Sequence, residues 1–488
     1  LQKSGTIEQK TPQTKESLKK ARRQMTDQQA PQPNIILINC DDLGYGDLGC
    51  YGSTRNKTPH LDRMAAEGIK FTDFYMGSPV CSPSRSAMLT GCYPPRIGMG
   101  DFNGRWVLFP GDPLGLNPNE ITVAKLLKEK GYATKIVGKW HCGDQPEFLP
   151  TRHGFDSYYG IPYSNDMGIQ FEDDIYPPLP LLRDEEVIQA QPDQAALTER
   201  YVEESVRFIR ANRDQPFFLY FAHMYVHVPI YPPARFLAES ENGRYGAGVQ
   251  TIDWSVGVLL YELKRLGLDE NTLVIFTSDN GSRARDEGGS NAPLRAYKGT
   301  TWEGGQRVPC IMRWPGQIPA GAVSSELATA MDLCPTLAGL GGATMPTDRM
   351  IDGKDIRPLM MAEAGAVSPH AAFFYYIMHY LMAVRVGKWK LHVGRMTFPD
   401  KQITPVAELY DLETDVGETI NLYAQYPDIV ADLEAKLAAC RQDMGDAVTG
   451  ITGENVRPVG SVDTPHTLTT YDPAHPYMIA MYDLQDRG

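Results

Sequence analysis

The folded pattern opens at NIILINC (34–40), an apolar run of strand length. It stops abruptly in an acidic, glycine-rich stretch, DDLGYGDLG. An apolar run of this length bounded by turn residues predicts a buried strand. TPHLDRMAAEGI follows and predicts a helix, with Thr58 as N-cap and Pro59 in the first turn. The alternation then repeats three times. NEITVAKLLKEKGY predicts a helix and ATKIVG a strand. AALTERYVEESVRFIRAN predicts a helix and PFFLYFAH a strand. GVQTIDWSVGVLLYELKRLG predicts a helix and TLVIFTSDNG a strand. Strands alternating with amphipathic helices predict a wound α/β sheet, whose functional residues gather where strands end and loops begin.

The pattern changes near residue 365. AAFFYYIM, LMAVRVGKWKLHVG and AELYDLE resemble antiparallel strands, and YPDIVADLEAKLAACRQDMG resembles one closing helix. This predicts three parts: a flexible polar tail at 1–33, a large α/β domain at 34–364, and a smaller α+β subdomain at 365–488 that ends in an irregular tail. No internal repeat is present.

Composition narrows the function. The chain has 488 residues, is 42% hydrophobic and carries 45 Gly and 37 Pro. It can bury a large core and still build long, shaped loops, which on such scaffolds carry function. A net charge of −13 argues against a protein built to bind nucleic acid or anionic membrane. It leaves room for an anionic small substrate where a metal and a few aimed cations reverse the local field. The eight cysteines are scattered without a CxxC pair, so neither a zinc ribbon nor a disulfide scaffold is indicated. No apolar run approaches a membrane span or a signal-peptide core.

Polar residues cluster at the ends of the predicted strands. Asp41 and Asp42 follow the first, Lys139 and His141 follow ATKIVG, His223 and His227 follow PFFLYF, and Asp279 and Asn280 follow TLVIFTS. A parallel sheet brings all of these to one edge. Three carboxylates and an amide oxygen suit Ca²⁺ or Mg²⁺ better than zinc. Alone, DD and DNG are ordinary turns; together, each directly after a buried-type strand, they favour a metal site. His141, His227 and, weakest, His223 are acid/base candidates. HxxxH at 223–227 lacks the Glu of a zinc protease.

Cys81 lies in PVCSPSRSAMLTG (79–91). Ser82 is a possible helix cap, and Pro83 suits a first turn. Cys81 then sits at the positive end of a helix, with Arg85 one turn inside. Burial statistics alone make it a core residue. A thiol-nucleophile reading leaves the three carboxylates without a role.

CSPSR followed by AMLTG closely resembles the signature C-x-P-S-R-x-x-x-L-T-G of the type I sulfatases, in the alkaline phosphatase superfamily. PNIILINCDDLGYGDLGCYG, GIKFTDFY, GKWHCG, TLVIFTSDNG, KGTTWEGGQRVP, GKWKLH and ELYDLETD are similar to further blocks of that family, in the same order, over roughly residues 33–445. The arylsulfatase A-like branch is the nearest. The resemblance implies a large mixed, mostly parallel sheet sandwiched by helices, with a C-terminal antiparallel sheet plus helix. It implies that Cys81 is oxidised to Cα-formylglycine by a formylglycine-generating or equivalent maturase acting on CSPSR. Asp41, Asp42, Asp279 and Asn280 would bind the cation, Ca²⁺ or alternatively Mg²⁺. Arg85 would hold the formylglycine, and Lys139 and Lys298 would grip the sulfate. His227 would protonate the leaving alcohol, and His141 would assist turnover of the sulfated intermediate. The one departure, His60 in TPHLD, is expected to be structural. Export to a periplasmic, extracellular or lysosomal-type compartment also follows from the family.

The chemistry so implied starts from a hydrated aldehyde. One hydroxyl, with Asp279 as proton acceptor, attacks sulfur. Deprotonation of the second hydroxyl by His141 expels sulfate and restores the aldehyde, a route closed to serine. Two rivals stay open: a phosphodiesterase or phosphonate monoester hydrolase of the same superfamily, and a catalytically silent glycan-binding protein. The second would show loss of Cys81, His227 or Lys298, and all three are present. The aromatic segments 154–182 and 373–380 favour a sulfated carbohydrate substrate over a simple aryl sulfate. His223, Asp166 and His379 are candidate substrate contacts.

Overall fold

In a computed structural model, which describes residues 32–170, 175–397, 400–472, 474 and 479–488, the apolar run 34–40 becomes β1 (Asn34–Cys40), buried along its whole length. The tail expected at 1–33 falls almost wholly outside the described residues. β1 lies near the middle of a ten-stranded sheet. Its other strands are β2 (Ile69–Phe71), β3 (Ala133–Gly138), β4 (Ser157–Gly160), β5 (Pro180–Arg183), β6 (Glu186–Ala190), β7 (Phe217–Ala222), β8 (Thr272–Ser278), β9 (Cys310–Arg313) and β10 (Ala322–Ser324). The order across the sheet is β10-β2-β9-β8-β1-β7-β3-β4-β5-β6. The central run β8-β1-β7-β3-β4 is parallel throughout; on one flank β9 is antiparallel to both its neighbours while β10 pairs parallel with β2, and on the other β5 and β6 add antiparallel.

The helices follow the expected alternation. Those used below are α1 (Pro59–Ala66), α2 (Cys81–Thr90), α3 (Val123–Glu129), α4 (Gln194–Ala211), α5 (Gly243–Leu266) and α6 (Pro427–Met444). Alternate residues of β1 serve opposite faces of the sheet. Ile35 and Leu37 join the core under α2 and α3; Ile36 and Ile38 join the core under α1, α4 and α5. Thr58 does precede α1, but its hydroxyl accepts from Gly49 N at 2.9 Å. The free N–H groups of α1 go to Asp253, which takes Leu61 N at 2.8 Å and His60 N at 3.3 Å. The His60 ring packs on Gly257 of α5, where a Cβ would collide with it.

The sheet is mixed and mostly parallel, as the family resemblance implied, but the hydrophobic pattern alone did not mark the strands of its flanks. β2, β9 and β10 are three or four residues long, too short to show a period. The expected aromatic insertion at 154–182 contains β4 and opens the β5–β6 hairpin.

A second sheet is antiparallel, of β11 (Phe373–Ile377), β12 (Tyr380–Val386), β13 (Trp389–Thr397) and β14 (Gln402–Asp411) in sequential order. α6 closes it through Val430, Leu433 and Leu437, which share a core with Leu381, Val384, Leu391 and Leu409. Tyr75, Ala87 and Tyr93 join the same core, so the segment around α2 is packed against the second sheet. Among the described residues, no helix is long and apolar enough to cross a membrane.

Candidate active site

Strand register makes the site. Cys40 of β1 pairs with Ser278 of β8, Asn39 of β1 with Ala222 of β7, and Gly138 of β3 with that same Ala222. Four parallel strands therefore end level, and the residues after them meet at one edge. Gly138 is required here: a side chain at φ 116° would run into the Ala222 carbonyl. Lys139 N then bonds that carbonyl at 2.8 Å and the lysine turns inward.

Asp41, Asp42, Asp279, Asn280, Cys81, Arg85, Lys139 and His227 are all buried. Cys81 Sγ lies 3.3 Å from Asp41 Oδ1. Lys139 Nζ stands 2.6 Å from Asp41 Oδ2, and Lys298 Nζ 2.9 Å from Asp42 Oδ2. Arg85 Nε donates to Asp279 Oδ2 at 2.8 Å, and its Nη1 donates to the Lys139 carbonyl at 2.9 Å. Asp42, at φ 58°, turns its backbone N–H to Asp279 Oδ1. Sequence-predicted residues from six separate chain segments are thus brought into one cluster.

α2 begins two residues earlier than the Ser82 cap implied. Val80 is the N-cap and Cys81 the first helical residue. Ser82 is not a cap because its hydroxyl accepts from Leu108 N at 3.2 Å. Ser84, one turn in, donates to the Asp279 carbonyl. The helix start is thereby tied to the end of β8, and Cys81 sits where the helix dipole favours negative charge.

Three carboxylates face three cations, Arg85, Lys139 and Lys298, so the cluster is formally neutral before any metal is added. Burial pulls the Asp41 carboxyl up, but Lys139, His227 and Arg85 outweigh it and hold it well below the usual range. Asp279 is raised by burial and by the Asp41 charge beside it. Burial, with Asp41 adding to it, also pushes the Cys81 thiol well up, so it is no thiolate at neutral pH. A cation would relieve the carboxylate repulsion. The donors fit one: atoms of Asp41, Asp42, Asp279 and Cys81 lie within 4.8 Å of one another. Asn280 Oδ1 is buried with no hydrogen-bond partner among the described residues. Hard oxygen donors of this kind suit Ca²⁺ or Mg²⁺.

The histidines separate. His227 Nδ1 lies 2.6 Å from the Val228 carbonyl and donates to it, which leaves Nε2 3.9 Å from Asp42 Oδ2. Burial and then Lys298 lower its pKa. His141 is held at φ 62°, with Nε2 donating to the Leu108 carbonyl at 3.0 Å; its Nδ1 is buried without a partner among the described residues. Its pKa is lowered well, by burial and then by Lys139. His223 is different: Nδ1 accepts from Tyr225 N at 2.9 Å and Nε2 faces Thr198 Oγ1 at 3.2 Å. Both ring nitrogens are spent on the fold. Asp166 is buried, and the nearby His227 charge helps keep its carboxyl low against burial. His379 packs against Gly100 instead; no hydrogen bond or ion pair among the described residues joins it to the cluster.

Ser164 was not foreseen. Its hydroxyl lies 3.3 Å from Lys139 Nζ and 3.4 Å from His227 Nδ1, bridging two expected residues. Its neighbour Asp166 was the available signal. The Leu108 carbonyl, which sets the His141 tautomer, carries no side-chain signal at all.

A wound sheet with a carboxylate, lysine and histidine cluster at its carboxyl edge defines an ester hydrolase of the alkaline phosphatase superfamily. The sulfatase family model matches residues 33–343, and the model for the C-terminal part of N-sulphoglucosamine sulphohydrolase matches 297–443. The chain belongs to the sulfatase family, as a type I sulfatase, a sulfuric ester hydrolase. N-acetylgalactosamine-6-sulfatase of Rattus norvegicus is 45% identical over 386 residues, covering 75% of this chain and 73% of the relative. Arylsulfatase A of Homo sapiens is 40% identical over 432 residues, covering 80% and 84%. Among solved structures, Ps i-CgsB in complex with k-i-k-neocarrahexaose has a TM-score of 0.72 and 31% identity, covering 84% of this chain and 92% of that one.

Proposed function

We propose that the chain removes a sulfate ester from a carbohydrate, using Cys81 converted to formylglycine and a divalent cation held by Asp41, Asp42, Asp279 and Asn280. The observation that carries this is the meeting of Cys81 Sγ with Asp41 at 3.3 Å, inside a carboxylate cluster that leaves Asn280 Oδ1 unpartnered. The raised Cys81 thiol supports the same reading, since an unmodified cysteine there is a poor nucleophile.

The hydrated aldehyde supplies an oxygen nucleophile, and the cation supplies positive charge beside it. The residues of the chain do the rest. Arg85 spans Asp279 and the Lys139 carbonyl and so fixes residue 81 against the cluster. Lys139 and Lys298 present ammonium groups to the sulfuryl oxygens, where negative charge grows in the transition state. His227, with Nδ1 committed to Val228, protonates the leaving alcohol from Nε2 when the ring is charged, and the burial and Lys298 that lower its pKa favour release of that proton. His141, with Nε2 committed to Leu108, accepts a proton at its free Nδ1. Asp166 beside His227 is the one expected substrate contact retained; His223 and His379 are left out, for the contacts given above.

A carbohydrate substrate is favoured because N-acetylgalactosamine-6-sulfatase is named for a sulfated sugar, and Ps i-CgsB was solved with an oligosaccharide. The test compares para-nitrophenyl sulfate, para-nitrophenyl phosphate and a panel of sulfated oligosaccharides. Turnover of one or more sulfated sugars above both aryl esters is expected. Preference for the phosphate would instead place the chain with the phosphoesterases, and an intact thiol at residue 81 in fully active protein would overturn the formylglycine assignment.

A further inference from the structure

Residues 484–488 lie across the mouth of the cluster. Gly488 N donates to Asp166 Oδ2 at 3.0 Å, and a Cβ on Gly488 would collide with the His227 ring. Leu484 N donates to Tyr231 OH at 2.9 Å. Between these anchors, Asp486 Oδ1 stands 3.9 Å from Arg283 Nη1. Two extended residues reach about 7 Å, so a short stretch of the same segment touches both Arg283 and the His227 side of the cluster.

Arg283 is unusual for a cation at a site mouth. It follows Asn280 by three residues, its side chain is 13% exposed, and its Nη1 is buried with no hydrogen bond among the described residues. A largely desolvated guanidinium with an unspent N–H is unfavourable unless an anion arrives to use it. Asp486 does not fill that need: at 3.9 Å it makes no hydrogen bond, and its side chain is 58% exposed. Asp486 lines a cavity of about 450 Å³ together with Val228, Asn242, Arg244 and Tyr245 among others. Asp286, Glu287 and Arg55 also line it, a mix of charges that suits the hydroxyls of a neighbouring ring better than a bare anion.

We propose that Arg283 is a specificity residue that takes a second anionic group of the substrate, a sulfate or a carboxylate, on the ring undergoing hydrolysis or on its neighbour. Asp486 lies at the seat of that group, and substrate displaces the 484–488 segment to enter. The proposal rests on the sulfatase reading above and adds the charge class of substrate that the site prefers.

The test uses the full chain and follows inhibition of para-nitrophenyl sulfate turnover by three sugars. These are N-acetylgalactosamine 6-sulfate, the same sugar with a second sulfate, and the same sugar linked to a uronate. A charge-assisted contact predicts a Ki about tenfold or more lower for a doubly anionic sugar. Whichever of the two gains names the group as sulfate or carboxylate. Arg283→Gln should bring the Ki values within about threefold of each other, and Arg283→Lys should retain part of the difference, which serves if the glutamine variant fails to fold. Asp486→Asn should lower the Ki of the doubly anionic sugar. Equal Ki values in the wild type, or a ratio unchanged by both Arg283 variants, would sink the inference while turnover of para-nitrophenyl sulfate leaves the sulfatase reading standing. A wild type that turns over no sulfate ester would sink both.

Discussion

Lys390 Nζ of β13 lies 2.9 Å from Glu303 Oε1, and both side chains are fully buried. The pair joins the second sheet to the loop that carries Lys298. Lys390 also reaches Glu418 at 2.9 Å, Glu418 accepts from Glu303 N, and Tyr75 and Tyr375 donate to Glu303. Breaking one side of a buried pair leaves the other charge uncompensated, at a cost of about 3–5 kcal/mol. Lys390→Met should therefore lower stability by that order in denaturant unfolding.

The same pair sets an acid limit. Burial raises the Glu303 carboxyl, but Lys390, Arg307 and Arg385 outweigh it and hold it far below its ordinary value. A depressed carboxylate stabilises the fold above its unfolded pKa, near 4.5, and that contribution is lost as pH falls through the folded value. Unfolding midpoints measured from neutral pH downward should fall more steeply for the wild type below about pH 4.5 than for Glu303→Gln. Parallel curves would show that Glu303 does not carry the effect.

Cys81→Ser retains an oxygen nucleophile but lacks the second hydroxyl. On the proposed chemistry, it should release one equivalent of alcohol and then stop, with a sulfuryl group added to the peptide that contains residue 81. Rapid-mix product release with peptide mass analysis reads both. Sustained turnover by the variant would contradict the role given to formylglycine.

The legible parts of this molecule are those written in local pattern. β1, β3, β7 and β8 each appear as an apolar run, and the polar residues after them reach the cluster because parallel register ends the strands level. Lys298 was legible only through the family resemblance, since it lies in a loop with no period. Ser164, the Leu108 carbonyl and Arg283 were not legible. Their positions depend on long-range packing, and a backbone carbonyl has no residue type to betray it. His223 shows the converse. Its spacing from His227 drew attention, yet burial and the bonds to Tyr225 and Thr198 make it part of the core.

His227→Gln separates proton donation from the other contributions. Donation matters when the leaving oxygen is a poor leaving group, as in a sugar alkoxide, and much less for para-nitrophenolate. Turnover of a sugar sulfate should fall about 10²- to 10⁴-fold, with a clearly smaller loss on para-nitrophenyl sulfate. Equal losses on both would assign the ring to binding.

On the proposed reading, the carboxylate cluster makes the cation a structural element as well as a chemical one. Without it, Asp41, Asp42 and Asp279 converge in a buried site, and Asp279 is driven toward its protonated form. Chelation should abolish turnover and lower the thermal midpoint together, because an ion that binds only the folded chain stabilises it, by about 2.7 kcal/mol at a hundredfold excess over Kd. Adding Ca²⁺ or Mg²⁺ should restore both, and whichever acts at lower concentration is the better fit to the oxygen donors. Asn280→Ala removes the one amide among the proposed ligands but keeps all three carboxylates. It should raise the cation concentration needed for half-maximal activity while leaving the maximum rate at saturation comparatively high. If chelation left activity and thermal midpoint untouched, the roles given to Asp41, Asp42, Asp279 and Asn280 would have to be abandoned.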